Sequence, residues 1–378
     1  MTKSVYVKAL RPGYIVGYGD NTFKRRSDGR RGKLKTKTVR IEGTRRVGIK
    51  EYEMPEPGYG QALVKIHSCN ICTTDWQLWT GARAGRAELP AAQGHEIAGE
   101  IAVLGPGVRE ELQVGDHVAL GNEGCGECYY CRSDRSARCP NKIGKMTLNG
   151  QFGSFGMSQY LTVKASRLYK MNPDLPFEEA AYLEPLATAI HGNKRLRVKP
   201  GDDLLVIGAG NLGLVNAQVA RIFGARVLVS EIRDERVKLA CELGFDAVNP
   251  VRQDIVSLTK KWAGEKGMDA VILAVGNTQA NEQAMQLIGM TGRVLFFSAG
   301  YPAPELKVDP NTIHYSEFEL IGAMNASLED FHLSAKFLNT GVVKVDRLIS
   351  HRVSIDEAQH AFELAATPGN YRVALKMW

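Results

Sequence analysis

The feature that most constrains this chain is a group of four cysteines within one short stretch, separated by two, two and seven residues: Cys125, Cys128, Cys131 and Cys139. This spacing is typical of a tetrahedral Zn²⁺ site, and Gly124 and Gly126 permit the tight backbone that such ligands need. The alternative is two disulfides in a secreted loop, which we disfavour because nothing else in the chain resembles a secreted protein. Four protein ligands leave zinc no open position, so we expect this site to stabilise its loop. The catalytic residues must then lie elsewhere in the chain.

The length and composition of the chain predict a soluble protein with two domains. At 378 residues the chain can build two separate cores, and 44% hydrophobic and 24% charged residues are ordinary for a globular protein. The sequence has no apolar run long enough to cross a bilayer and no signal-peptide pattern at its start. We therefore expect a cytoplasmic protein in which the seven cysteines stay reduced.

Positive charge is concentrated at the N-terminal end. Residues 1–40 contain twelve Lys or Arg against two Asp, so their net charge of +10 leaves −3 for the rest of a +7 chain. The segment could be an arm that binds nucleic acid. We favour a solvated extension, with a short hairpin around Pro12, that packs on the body of the protein or on a neighbouring subunit. A third alternative is contact with an anionic substrate or cofactor.

The rest of the chain has two different patterns. Short alternating strands with Gly and Pro between them are predicted from Val39 to Leu120 and indicate a β-rich beginning. From Asp203 onwards apolar strands alternate with helices, which predicts a doubly wound parallel sheet of the α/β class. The predicted strands are 203–207, 226–230, 270–274 and 293–297. From about Met324 we expect the chain to return and complete the first domain.

A glycine-rich turn after the first apolar strand indicates a dinucleotide site. The turn reads Gly208-Ala209-Gly210-Asn211-Leu212-Gly213, opens a helix, and is followed by Glu231 at the end of the next strand. The glycines let the backbone approach the pyrophosphate at the helix N-terminus. Glu231 would bind the ribose hydroxyls and repel a 2′-phosphate, which favours NAD over NADP. Arg233 leaves NADP open, since a guanidinium there could hold that phosphate.

The order of these motifs resembles the zinc-dependent medium-chain dehydrogenase/reductase family. Ile71-Cys72-Thr73-Thr74-Asp75, Gly94-His95-Glu96, the four-cysteine lobe, Leu183-Glu184-Pro185-Leu186 and the glycine turn follow one another as in that family. The His-Glu and Glu-Pro pairs are most similar to its sorbitol (polyol) dehydrogenase branch. The resemblance starts at about residue 35. It implies a GroES-like catalytic domain (37–188 and 325–378), a Rossmann coenzyme domain (189–324) and a basic extension (1–36).

The resemblance also implies a role for individual residues. Cys72 and His95 would bind a catalytic zinc, and Glu96 would be a third ligand or a close neighbour of the metal. Glu184 would bind it directly or through water. Thr74 would pass on the alcohol proton, and Asp75 would accept a hydrogen bond from His95. The four lobe cysteines would hold a second, structural zinc, so two zinc ions per chain are expected.

Three positions depart from the family pattern. Thr73 stands where glycine is usual, Gln77 where a proton-relaying histidine is frequent, and Cys69 adds a cysteine that is either a buried strand residue or an alternative ligand. Around the expected pocket, Trp76 and Trp79 are more typical of simple packing. Arg83 and Arg86 could recognise an anionic substituent or lie on the surface.

The resulting hypothesis is an NAD- and zinc-dependent alcohol dehydrogenase, forming a homodimer or homotetramer, that oxidises a secondary alcohol of a polyol, sugar or cyclitol. Alternatives are a threonine or amino-alcohol dehydrogenase of the same family, and a relative that binds NAD and zinc without turnover or lacks the catalytic zinc. A nucleic-acid-binding protein is disfavoured because it leaves His95, Glu96 and the glycine turn without a role.

Overall fold

The computed structural model describes residues 34–83, 85, 88–133, 135–141, 146–148 and 151–378. The predicted hairpin around Pro12, almost all of the basic extension, and Arg86 lie outside the described residues. Within the described part, no helix is long and apolar enough to cross a membrane.

The strands of the described residues are β1 (Leu34–Gly43), β2 (Arg46–Met54), β3 (Gln61–Asn70), β4 (Glu96–Leu104), β5 (His117–Leu120), β6 (Met146–Leu148), β7 (Gln151–Gly153), β8 (Tyr160–Lys164), β9 (Leu168–Lys170), β10 (Asp203–Ile207), β11 (Arg226–Ser230), β12 (Asp246–Val248), β13 (Met268–Leu273), β14 (Ile288–Phe296), β15 (Glu319–Gly322), β16 (Ile349–Ser354) and β17 (Arg372–Lys376).

The helices are α1 (Thr73–Thr80), α2 (Tyr129–Arg132), α3 (Phe177–Ala180), α4 (Leu183–Leu196), α5 (Asn211–Ile222), α6 (Asp234–Glu242), α7 (Ile255–Ala263), α8 (Thr278–Leu287), α9 (Pro310–Ser316), α10 (Leu328–Asn339) and α11 (Ala358–Ala366). Short 3₁₀ turns lie at Ser136–Arg138, Ala165–Arg167, Asp346–Leu348 and Ile355–Glu357.

A mostly antiparallel sheet forms the β-rich body. Its strands pair in the order β16-β17-β3-β4-β5-β9, and β8 also pairs with β3. The two C-terminal strands, β16 and β17, enter this sheet beside β3, as expected from the mixed pattern after Met324. A core of alternating inward residues, including Leu63, Ile97 and Val373, fills the inner face. The return of the C-terminal strands is what places residues near 372 against the end of β3.

A parallel sheet forms the second body. Within the described residues its strand order is β12-β11-β10-β13-β14-β15, and every pair is parallel. This is the strand order of a doubly wound dinucleotide-binding sheet, in which ligands bind beyond the carboxyl ends of the strands. The run Asp203–Ile207 is buried throughout, as the continuous apolar pattern predicted. The fold class expected from the sequence is therefore confirmed.

Helix α4 joins the two bodies. One core combines its buried face, for example Leu186 and Ile190, with Val206 of the parallel sheet and Ala98 of the β-rich sheet. Helices α7 and α8 cover the other face of the parallel sheet with a separate core. The domain limits 37–188, 189–324 and 325–378 stay a prediction, and we propose them because the two sheets share no strand among the described residues.

Candidate metal and coenzyme site

The ends of two neighbouring strands bring the candidate metal ligands together. Cys72 follows β3, His95 precedes β4, and the antiparallel register places Asn70 opposite Glu96. One ligand atom each from Cys72, His95 and Glu96 lies within 4.8 Å of the other two. Residues separated by more than twenty positions in the sequence thus meet at one edge of the sheet. The Cys72 thiol and the His95 ring therefore lie on the same side of the molecule, as a shared metal would require.

Gly94 is required for this approach. Its backbone has a φ of +102°, and a Cβ atom there would lie 2.8 Å from Met157 and 2.9 Å from Cys69 Sγ. Both the conformation and the space therefore exclude a side chain. Cys69 itself is fully buried in β3 and is not part of the ligand group among the described residues. Its contact with the Gly94 turn supports the interpretation as a packed strand residue.

Arg372 is a member of this site that sequence reasoning missed. Strand β17 lies beside β3, and Arg372 Nε and Nη2 donate to the two oxygens of Glu96 at 2.9 and 2.7 Å. Nη2 also lies 3.7 Å from Cys72 Sγ. Burial lowers the pKa of Arg372, but Glu96 and Cys72 outweigh burial and leave that pKa raised. No local pattern in the sequence could have found this arginine, because only the register of β17 on β3 brings it here.

The carboxyl groups of Asp75 and Glu184 also act on the His95 imidazole. Burial lowers the pKa of His95, but Asp75 and Cys72 more than offset it, so the pKa lies well above its ordinary value. Burial raises the pKa of Glu184, and the charge of His95 opposes that rise only in part. The described residues offer the Glu184 carboxylate no hydrogen-bond partner.

These observations fit a bound divalent cation. A thiol, an imidazole and the Glu96 carboxyl group converge, and Glu184 interacts electrostatically with His95 without belonging to that group. Among the described residues that the site contacts, Arg372 supplies the fixed positive charge. Buried acidic groups of this kind are normally paired or bind a metal. Sulfur, nitrogen and carboxylate oxygen are the donors that Zn²⁺ takes, and three or fewer firm ligands leave a position open. We conclude that the residues present can hold a zinc ion of the catalytic type.

Asp75 has a local role besides its charge. Its Oδ2 accepts the backbone N–H of Cys72 at 2.9 Å, which caps helix α1 at the residue that carries the thiol. Its Oδ1 lies 3.7 Å from His95 Nδ1, an ion-pair distance longer than a hydrogen bond. Thr74 is exposed in the first turn of the same helix, and Trp79 is buried on its inner face.

The four-cysteine lobe has the geometry that a structural zinc requires. The ligand atoms of Cys125, Cys128, Cys131 and Cys139 lie within 4.8 Å of one another, and three Sγ–Sγ distances are 3.6, 3.7 and 4.0 Å. Zn–S bonds of about 2.3 Å in a tetrahedron would place the sulfurs about 3.8 Å apart. All four are free thiols, so the disulfide alternative is not what the fold shows. Backbone N–H groups of Glu127 and Cys128 lower the pKa of Cys125 to about 6.

The glycine turn has the shape of a nucleotide-binding loop. It connects β10 to α5, and a Cβ atom on Gly213 would lie 1.8 Å from the carbonyl oxygen of Gly208. Only glycine allows this close contact of helix and turn, which leaves the N-terminus of α5 open to an anion. Asn211 begins the helix, and its Oδ1 accepts a hydrogen bond from the hydroxyl of buried Tyr182 at 2.6 Å. The turn therefore fits a dinucleotide pyrophosphate.

Glu231 is buried behind this turn. Its Oε2 accepts the N–H of Ala209 at 2.8 Å and its Oε1 accepts the N–H of Arg233 at 3.0 Å. Arg236, which sequence reasoning missed, lies 3.9 Å from Glu231. The Arg233 side chain is 3.5 Å from Glu235. One buried carboxylate and two arginines would thus surround the 2′ position of the ribose in a dinucleotide bound at this turn, which is where NAD and NADP differ.

Comparisons with known proteins agree with this geometry. The family model described as "Alcohol dehydrogenase GroES-like domain" matches residues 58–173, and the one described as "Zinc-binding dehydrogenase" matches residues 212–340. Together they cover more than half of the chain.

Relatives with assigned activities span nearly the same length. The chain is 32% identical over 323 residues to 2-dehydro-3-deoxy-L-galactonate 5-dehydrogenase of Pseudoalteromonas atlantica, covering 84% of this chain and 92% of that protein. It is 33% identical over 322 residues to L-threonine 3-dehydrogenase of Pyrococcus horikoshii, covering 83% and 90%. A solved zinc-binding dehydrogenase from Sinorhizobium meliloti, bound to NADP, is 27% identical with a TM-score of 0.82, covering 91% of this chain and all of that one.

Proposed function

The chain belongs to the zinc-dependent medium-chain dehydrogenase/reductase family, and we propose that it oxidises a secondary alcohol of a polyol, sugar or sugar acid to the ketone, reversibly, with NAD. Membership supports a zinc-dependent oxidoreductase that uses a nicotinamide coenzyme. The single observation that carries the proposal is the convergence of Cys72, His95 and Glu96 on one edge of the β-rich sheet.

Cys72 and His95 would hold the catalytic zinc, with Glu184 as a further ligand directly or through water. Glu96 accepts two hydrogen bonds from Arg372, so much of its negative charge is already neutralised. We therefore propose Glu96 as a neighbour of the metal that fixes Arg372, rather than as its main carboxylate ligand. When bound, the zinc supplies Lewis acidity that makes the alcohol easier to deprotonate.

The protein residues would then position the substrate and move its proton. Asp75 holds the backbone of Cys72 by a hydrogen bond and lies 3.7 Å from His95 Nδ1, so it would help to orient both ligands before substrate arrives. Thr74, exposed two residues after Cys72, would accept the alcohol proton and pass it to water. The glycine turn would fix the coenzyme at the carboxyl ends of β10 and β13, so that its ring faces the carbinol carbon.

The choice of NAD rests on Glu231. A buried carboxylate at the end of β11 disfavours a 2′-phosphate by like charge, and its two oxygens are fixed by backbone amides. Arg233 and Arg236 supply the opposing charge, and one relative in structure binds NADP. Comparing kcat/KM for the two coenzymes tests this choice. A higher value with NADP would reverse the assignment.

The substrate class rests on the relatives. One acts on a sugar acid and another on L-threonine, and both substrates carry a hydroxyl to be oxidised and a carboxylate. We place the sugar-derived alcohols first because the His-Glu and Glu-Pro pairs resemble the polyol branch. L-threonine is the competing substrate. We propose a homodimer or homotetramer on the basis of the family resemblance. Native mass spectrometry would measure the number of subunits.

The deciding experiment combines zinc counting with an activity screen. We expect two zinc ions per chain and formation of NADH absorbance with at least one polyol, sugar acid or L-threonine. Cys72→Ser should remove one zinc and the activity while the protein stays folded. Thr74→Val should slow turnover and keep both zinc ions. A purified protein with one zinc at the lobe and no turnover would favour the relative without a catalytic metal.

A further inference from the structure

An arginine and a tyrosine meet where the metal-binding body faces the coenzyme-binding body. Arg83 Nη2 donates to the hydroxyl of Tyr301 at 3.1 Å, and the guanidinium lies 5.0 Å from the centre of the tyrosine ring. The two residues are 218 positions apart in the sequence. No step of the proposed oxidation uses this contact.

Tyr301 belongs to the coenzyme side of the cleft. It lies on the loop that follows β14, at the carboxyl end of the parallel sheet. This loop packs on the one after β13: a Cβ atom on Gly276 would lie 2.4 Å from the N atom of Gly300. In sheets of this topology ligands bind beyond the carboxyl ends of the strands. Tyr301 therefore stands beside the place where the nicotinamide end of the coenzyme is expected.

Arg83 belongs to the metal side. It follows helix α1, which begins directly after Cys72, and its backbone N–H bonds the carbonyl of Gln77 at 3.2 Å. A helix of eight residues is about 12 Å long. Arg83 is thus held at the far end of a short rigid element whose near end carries the thiol. A substrate reacting beside Cys72 would extend between the helix and the loop of Tyr301.

Among the described residues, no acidic group neutralises the charge of Arg83. No carboxylate of the described residues forms an ion pair with it, although its side chain is only half-exposed. Its Nε is buried and has no hydrogen-bond partner in the described part of the chain. Arginines in such positions bind oxyanions well, because the planar fork offers several donors to two oxygens at once. Tyr301 uses only one of these donors.

We propose that Arg83, oriented by Tyr301, binds an oxyanion of the substrate several bonds away from the hydroxyl that is oxidised. The inference rests on the proposed function and narrows its substrate class from neutral polyols to anionic sugar derivatives. A carboxylate and a phosphate ester offer the same chemistry to a guanidinium, so the test must contain both.

The test measures binding, so that it does not depend on turnover. The enzyme–NADH complex is titrated by calorimetry with L-galactonate, galactitol 1-phosphate and galactitol, which share a carbon skeleton but differ in charge. We expect at least one of the two anions to bind tenfold or more tightly than galactitol. Arg83→Gln should weaken the binding of that anion by about 10- to 150-fold, the range for losing a charged hydrogen bond. The affinity for galactitol should not change.

Three further variants sharpen the result. Arg83→Lys keeps the charge and should retain part of the preference, and Tyr301→Phe keeps the ring and should lose a smaller part. Lys261→Gln removes an equal charge from an exposed position on α7 and should change nothing. Equal affinity of the wild type for all three ligands would overturn the proposal. So would an Arg83→Gln variant that weakens galactitol as much as the anions, because that would mark a latch between the bodies.

Failure of the inference and failure of the proposed function can be told apart. The same titrations are run on the free enzyme, so the preference for anions is decided even if NADH does not bind. A protein that binds the anions through Arg83 but neither binds NADH nor oxidises any alcohol would contradict the proposed function alone. A protein that oxidises neutral polyols with no preference for anions would contradict the inference alone.

Discussion

Removing the charge of Arg372 should destabilise the metal-free enzyme strongly. The side chains of Arg372 and Glu96 are 5% and 0% exposed, and two hydrogen bonds of 2.7 and 2.9 Å join them. Arg372→Gln leaves Glu96 as a buried carboxylate without its cation, and the Cys72 thiol loses the same neighbour at 3.7 Å. Breaking a buried pair in this way costs about 3–5 kcal/mol of unfolding free energy.

That free energy corresponds to a large shift in melting temperature. For a domain of about 150–250 residues, each kcal/mol moves Tm by about 2–4 °C, so we expect a decrease of about 6–20 °C. The measurement is thermal unfolding at pH 7 after chelation, followed by circular dichroism. Chelation is essential because a bound cation would itself compensate Glu96.

Two variants make this result interpretable. Lys35→Gln removes one partner of an exposed ion pair, 68% and 57% accessible, and should move Tm by no more than about 2–4 °C. The double variant Arg372→Gln/Glu96→Gln removes the orphaned charge and should regain much of the lost stability. The reasoning is refuted if Arg372→Gln melts within 2–4 °C of the wild type, or if the double variant is no more stable than the single one.

Three other outcomes are expected. Cys131→Ser should reduce the zinc content from two ions to one and lower Tm, because a structural zinc contributes folding energy directly; an unchanged metal count would contradict the lobe. Gly213→Ala should weaken NADH binding on the order of 5- to 150-fold, since its Cβ would overlap the Gly208 carbonyl, whereas Gly322→Ala, with nothing within 4 Å, should bind NADH normally. Burial raises the pKa of Glu178, but Lys376 and Arg352 outweigh it and lower the value from 4.5 to about 2. This stabilisation is complete above pH 4.5 and is lost as the pH falls towards 2, so the Tm deficit of Glu178→Gln should shrink over that interval; a constant deficit would exclude this linkage.

Local patterns in the sequence were enough to predict the cysteine lobe, the glycine turn and the parallel sheet. The cysteine lobe and the glycine turn each lie within one short stretch, so spacing alone restricts their geometry, and both have the expected form. The strands and helices from Asp203 onwards could be predicted for the same reason, because periodicity reports burial residue by residue. The family resemblance grouped Cys72, His95 and Glu96, and the register of β3 on β4 explains why those positions meet.

Only the tertiary structure decided which charges lie together. Arg372 and Glu96 are 276 positions apart, and Arg83 and Tyr301 are 218 apart. No local pattern singles out Arg372, and for Arg83 the sequence left open whether it meets an anion or lies on the surface. Their partners depend on where β17 joins the β-rich sheet and where the loop after β14 reaches the end of α1. Asp75 is a further example: the family resemblance predicted a hydrogen bond from His95, but Asp75 instead accepts one from the Cys72 backbone, and His95 Nδ1 lies 3.7 Å away. A sequence pattern does not determine which of several polar residues will pair. Each of these pairs forms only when distant segments of the chain are packed against one another.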